Sequence, residues 1–347
     1  MHRAKSVRPL TGRTLALGAL GGAIATLLAL PLAWMLGALF MVLAVSLLGV
    51  TTAVDKRLHC LAIATLGVFI GQRVDAGELA QLAAWYPSVI AMLLYMALLL
   101  VGGGALFMRG GVAPLNALFC AFPGSMNTAL VLAERAGGDV RWIAISHSMR
   151  LAVVVSSAAL MAALLVDEVA MADDAGLLTV DLLWWLLAPA SWWLGRRLRL
   201  PLAEFLGPLV VSALLTSLGV PLTLPSVCLL PTFLILGSSI GSRFSSTSLR
   251  RVVKVGRVGL LFALFAVALA AGVALLVAFI TELGFVAVLL ALLPGGVGEM
   301  AVIAVAVDVD PVYVVSHHVL RLLLLIALTP LMLRWVRARY GEAAPGS

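Results

Sequence analysis

Apolar residues run along this chain in long blocks, interrupted by short charged loops and by Gly and Pro, and the blocks fall into two series of six. The first series occupies 14–30, 32–50, 58–72, 84–107, 113–136 and 142–166, and the second 182–195, 201–219, 225–241, 257–280, 284–307 and 312–334. Most approach the ~20 residues that carry a helix across a bilayer. The fifth of each series differs: a Pro-Gly pair cuts it into arms of about ten residues, each reaching about 15 Å, half the hydrocarbon thickness.

The two series are copies. Leu30 to Val50 (LPLAWMLGALFMVLAVSLLGV) aligns without a gap on Leu200 to Val220 (LPLAEFLGPLVVSALLTSLGV), and Gly67, Ile70, Gly71 and Arg73 align on Gly237, Ile240, Gly241 and Arg243, all at an offset of 170. From the fifth block the offset is 171: Pro123, Gly124, Asp139, His147 and Arg150 align on Pro294, Gly295, Asp310, His318 and Arg321. Self-similarity of this length points to a duplicated module, with an N-terminal membrane repeat over 1–170, a C-terminal one over 171–340 and a short tail over 341–347.

Charge selects the topology. If the fifth segments cross, the halves run parallel and the basic loops at Arg196, Arg197 and Arg199 and from Arg243 to Arg257 fall outside, against the positive-inside rule. If they dip in and return, each half has five spans and the second is inverted. Those loops, the basic N-terminus and Arg334, Arg337 and Arg339 then share the cytoplasmic side, and the acidic loop from Asp167 to Asp181 lies outside. The fold expected is an all-α polytopic membrane protein of two inverted repeats, each of about five transmembrane helices plus a broken or re-entrant Pro-Gly hairpin. Secondary transporters are built this way around a midplane site.

Composition agrees: of 347 residues, 63% are apolar and 11% charged, too little polar surface to coat soluble domains. The first block has the basic and apolar parts of a secretory signal but no small-x-small cleavage site, so an uncleaved helix is expected. The net charge of +7 is scattered over short loops, which suits orientation in lipid rather than nucleic-acid binding. Cys60, Cys120 and Cys228 have no metal-ligand or redox spacing and read as buried thiols. Trp184, Trp185, Trp192 and Trp193 read as interfacial belts.

Candidate chemistry gathers at the two breaks. In FPGSMNT, Pro123 and Gly124 stop one arm and Ser125 or Asn127 can cap the next, whose unpaired N–H groups suit an anion. The counterpart LPGGVGEM keeps Pro294, Gly295 and Gly296 but puts Gly298 and Glu299 where Asn127 and Thr128 stand. Glu299 is the one carboxylate inside an apolar segment away from its ends; it must be protonated, paired or hydrated, and is the candidate for proton or cation coupling. His147 with Arg150, and His318 with Arg321, share a helix face, and both arginines lie too deep to snorkel. Each Arg can grip a substrate carboxylate or tie down the carbonyls of its own hairpin; each His can relay a proton or make a structural bond. Asp139 and Asp310 are N-cap candidates. With no HxxxH or ExxH pair and no phosphate-binding loop, neither a metal nor an organic cofactor is expected.

The doubled PG…D…H..R signature, with Gly296, Glu299 and Met300 in its second copy, resembles the AbrB duplication family of bacterial integral membrane proteins along nearly the whole chain. Members carry labels of ammonia monooxygenase or of regulator of gene expression, and share a name with an unrelated small DNA-binding regulator. The resemblance also implies kinship with the cation/proton antiporter and anion transporter superfamily, and transfers no established substrate residues. The function expected is not enzymatic: a secondary transporter of a small anionic metabolite in the bacterial inner membrane, both termini cytoplasmic, with H⁺ or Na⁺ as coupling ion and a homodimer as the candidate assembly. The alternatives are a membrane sensor acting indirectly on gene expression and, last, a monooxygenase.

Overall fold

The computed structural model describes residues 7–74, 82–165, 179–220, 229–245 and 249–340. The residues outside these ranges include Arg3, Lys5, most of the acidic loop, Cys228 and the 341–347 tail. The side chains of Asn127, Trp184, Trp185, Arg250, Arg251, Lys254, Arg337 and Arg339 are likewise outside the description.

Among the described residues there are fourteen α-helices and no strand: α1 (Val7–Leu27), α2 (Ala33–Leu47), α3 (Lys56–Gly71), α4 (Tyr86–Arg109), α5 (Pro114–Ala121), α6 (Met126–Arg135), α7 (Val140–Leu165), α8 (Thr179–Arg197), α9 (Ala203–Ser217), α10 (Leu229–Ser242), α11 (Leu249–Ile280), α12 (Phe285–Leu292), α13 (Val297–Ala306) and α14 (Pro311–Tyr340). Five contain stretches long and apolar enough to span a membrane, in α1, α4, α7, α11 and α14. On α11, Leu275, Leu276 and Phe279 stay open to the surroundings, an apolar face that suits lipid. This is a multi-pass membrane protein. The second helix of each half is shorter than the apolar block that contains it. Thus α2 and α9 end ahead of Gly49 and Gly219, whose positive φ (90° and 78°) closes the helix end.

The chain forms two compact units, each drawing on both halves of the sequence. The first comprises Met1–Trp85, Ala162–Ser246 and Ala301–Val312 and holds α1–α3 and α8–α10; the second comprises Tyr86–Met161, Thr247–Met300 and Tyr313–Ser347 and holds α4–α7, α11, α12 and nearly all of α14, with α13 shared.

In the first unit the repeats exchange helices. A Cβ on Gly67 of α3 would lie 2.6 Å from the Phe205 carbonyl oxygen of α9, and one on Gly241 of α10 would lie 2.7 Å from that of Leu39 on α2. Gly71 meets Leu209, and Gly237 meets Met35, in the same way. Each repeat's third helix therefore packs on the other repeat's second, and backbone approach this close requires glycine. The duplication reaches the backbone as well: Leu32 and Leu202, heading α2 and α9, both take left-handed conformations (φ 48° and 47°).

The second unit shows the inversion directly. Tyr95 of α4 meets Ala266 of α11, Phe107 meets Phe262 with ring centroids 5.1 Å apart, and Gly110 faces Val258. As α4 advances from 95 to 110 its partners recede from 266 to 258, so these equivalent helices are antiparallel and the halves of this unit run in opposite senses.

Candidate functional site

Proline makes each break. Its ring excludes the helical conformation from the preceding residue, so Phe122 (ψ 123°) and Leu293 (ψ 135°) turn extended and end α5 and α12. Ser125 then caps α6, its hydroxyl accepting from the Thr128 N–H at 3.2 Å and meeting the Thr128 hydroxyl at 2.8 Å. Asp139 and Asp310 cap α7 and α14, accepting from the N–H groups of Arg141 (2.9 Å) and Val312 (2.8 Å).

The broken segment re-enters. Asn116, in the first turn of α5, accepts through Oδ1 from the N–H of Asp139 at the head of α7 (2.8 Å), while further on His147 reaches Phe119 and Arg150 reaches Phe122. The helices α5 and α7 thus run side by side in one direction, starting at one level. The chain between them must go in and come back, and α6 is the returning arm. In the second repeat, His318 reaches Leu290 and Arg321 reaches Leu293, so α12 and α14 are parallel and α13 returns.

A break at this depth orphans carbonyl oxygens that water would satisfy in a soluble protein. Here side chains satisfy them, in duplicate. His147 donates its Nε2–H to the Phe119 carbonyl and His318 donates its own to the Leu290 carbonyl, each at 2.9 Å. Arg150 donates from Nη1 to Phe122 (2.6 Å) and from Nη2 to Gly124 (3.1 Å); Arg321 donates from Nη1 to Leu293 (3.0 Å) and from Nη2 to Gly295 (3.2 Å). Of the two uses open to these arginines from sequence, the guanidinium groups are placed on their own hairpins' carbonyls. A charged bond of this kind contributes about 1.5–3 kcal/mol.

The copies differ in detail. Arg321 also donates from Nη2 to Nδ1 of His318 at 2.8 Å, which makes His318 a neutral ring whose two nitrogens are both engaged. The N-cap position held by Ser125 in the first hairpin is Gly296 in the second. Glu299, equivalent to Thr128, folds back so far that its Oε2 occupies the place a Cβ on Gly296 would take. Glu299 is 4% exposed, and no side-chain hydrogen bond or ion pair joins it to another described residue. Pro123 and Pro294 are buried; Ser125 is exposed.

Both breaks, with Arg150 and Arg321, belong to the second unit. A Cβ on Gly124 would lie 3.1 Å from Leu325, one turn beyond Arg321 on α14. The Tyr95 hydroxyl is within electrostatic reach of both guanidinium groups and donates to the Ala266 carbonyl at 3.2 Å. Sequence reading passed over Tyr95, since one tyrosine in an apolar block carries no signal of its partners. His317 faces away from the hairpin: its Nδ1–H goes to the Tyr313 carbonyl (2.9 Å) and its Nε2 meets the Ser88 hydroxyl (2.8 Å). Cys60 and Cys120 are buried free thiols. Among the described residues no three His, Cys, Asp or Glu side chains gather as metal ligands.

Residues 5–337 match the family model described as "Transition state regulatory protein AbrB". The chain is 28% identical to a protein of Escherichia coli (strain K12) whose name proposes a regulator, AbrB, over 88% of this chain and 90% of that protein. It is 23% identical to the uncharacterized protein YhjN of Bacillus subtilis (strain 168), over 94% and 93%.

Proposed function

The chain belongs to the AbrB family of membrane proteins, and from that premise we propose that it is a secondary transporter for a small anionic metabolite, coupled to a proton or cation and seated in a bacterial inner membrane with both termini cytoplasmic. The observation that carries this reading is the pair of Arg-braced breaks in one unit whose two halves run in opposite senses. Backbone broken at depth is costly in lipid and persists where it serves a hydrated site.

The substrate-binding residues proposed are Pro123, Gly124, Ser125, Asn127 and Arg150 of the first hairpin and Pro294, Gly295, Gly296 and Arg321 of the second. The first tip suits an anion best: the head of α6 presents N–H groups at the positive end of its dipole, the exposed Ser125 hydroxyl lies beside them, and Arg150 stands behind the carbonyls. At the second tip the chain's own carboxylate, Glu299, takes the corresponding place. Glu299, with His147 and His318 beside the clamps, is the proposed coupling group.

Proteoliposome flux tests this. Small carboxylates and other anions would first be screened for thermal stabilisation of the solubilised protein, and the stabilising compounds then followed across the membrane. Flux that falls in Ser125→Ala and Glu299→Gln is the expected result; tight binding with no flux in either direction would sink the transport reading. That second outcome favours a membrane sensor acting indirectly on gene expression, which the name of the E. coli relative supports.

A further inference from the structure

Each hairpin already holds a cation, and that cation is covalently tethered. Arg321 takes the carbonyl oxygens of Leu293 and Gly295, and also approaches that of Leu292 at 3.4 Å; the Gly296 carbonyl accepts from the Met300 N–H. In the first hairpin Arg150 takes the oxygens of Phe122 and Gly124, and the hydroxyls of Ser125 and Thr128 satisfy one another. These carbonyls are the ligands that unwound helices offer to Na⁺ in membrane interiors. Here guanidinium occupies them.

Resting on the transport reading, we propose that the coupling ion is the proton, that Glu299 carries it, and that the tethered guanidinium groups are what exclude a metal cation from the breaks.

A metal ion needs several oxygen ligands together. Apart from Glu299, the stretch Leu293 to Met300 has no side-chain oxygen, so a metal ion beside the second tip would find one carboxylate and a competing guanidinium. A proton needs one lone pair. Binding it forms an O–H bond on the Glu299 carboxylate with a proton drawn from the aqueous phase, and the side chain goes from −1 to neutral. The residue is 4% exposed and no side-chain hydrogen bond or ion pair to another described residue holds its oxygens, so a lone pair stands open to a proton.

The other titratable and charged groups on the packed elements are committed. Arg321 is bound to the break and to His318, and His318 spends both nitrogens on Leu290 and Arg321. On the outer side of α14, His317 is held between Tyr313 and Ser88, and on α4 the Tyr95 hydroxyl is bound to Ala266. In the first hairpin Thr128, at the equivalent position, cannot ionise, and His147 donates its Nε2–H to the Phe119 carbonyl.

Infrared difference spectroscopy on the full chain in lipid nanodiscs reads that proton without any substrate. The pH would be stepped in choline chloride and again in sodium chloride, for the wild type, Glu299→Gln and Glu299→Asp. The expected result is a protonated-carboxyl C=O band in the wild type minus Glu299→Gln difference that titrates as one proton with the same midpoint in both salts and returns with a moved midpoint in Glu299→Asp. A midpoint displaced by Na⁺, or no difference band between the wild type and folded Glu299→Gln, would overturn the proposal. Should Glu299→Gln fail to fold, a Glu299→Asp midpoint identical to the wild type overturns it equally. Substrate flux is a separate measurement, so failure of transport and failure of proton binding are told apart.

Discussion

Tyr95 donates its hydroxyl to the carbonyl of Ala266 and so ties α4 of the first repeat to the antiparallel α11 of the second, within the second unit. Both copies of the Arg clamp are within electrostatic reach of that hydroxyl.

Tyr95→Phe should cost about 0.5–1.5 kcal/mol, the net worth of one hydrogen bond, and leave the fold intact because the ring still fills its buried place. Equilibrium unfolding in mixed micelles measures this. A cost near zero would mean that the hydroxyl bond does nothing to hold α4 on α11.

Arg150→Lys and Arg321→Lys should each destabilise by about 1–3 kcal/mol, because an ammonium on a flexible stem cannot span two carbonyls as the planar fork does and leaves one unsatisfied. Arg321→Lys also gives up the bond to His318. Unfolding midpoints measure each loss, and a change near zero in either variant would mean that its fork does not hold the break.

Single cysteines at Ala113 and Arg135, which stand at the entry of α5 and the end of α6 and are both exposed, should react with an impermeant maleimide from the same side of the membrane. Labelling from opposite sides would mean that the segment crosses.

Gly67→Val and Gly237→Val should destabilise alike, by about 1–3 kcal/mol or more, because each drives a side chain into a carbonyl of the partner helix. The comparison needs only thermal unfolding of the two purified variants. A large difference between them would show that the reciprocal packing in the first unit is not energetically symmetric.

Much of this was legible along the chain. The breaks at Pro123 and Pro294 and the caps at Ser125, Asp139 and Asp310 follow from local rules, since proline and N-cap oxygens act on near neighbours. The partners of Arg150 and Arg321 were open, because a guanidinium at depth can satisfy carbonyls or bind an anion, and sequence alone does not say which acceptor lies within 3 Å. Tyr95 was silent for the same reason: its meaning resides in Ala266.

The amino-acid sequence by itself determined that the chain is a duplicated, all-helical membrane protein with two interrupted segments, because apolar length, proline geometry and self-similarity are properties of order along the chain. Charge along the chain already favoured returning segments and inverted halves; only the tertiary structure decided which helices meet and that each break is braced by a guanidinium on its own carbonyls. Those outcomes depend on which orphaned carbonyl meets which donor across 26 to 28 residues, and in lipid, with no water to substitute, every such meeting must be made by the fold.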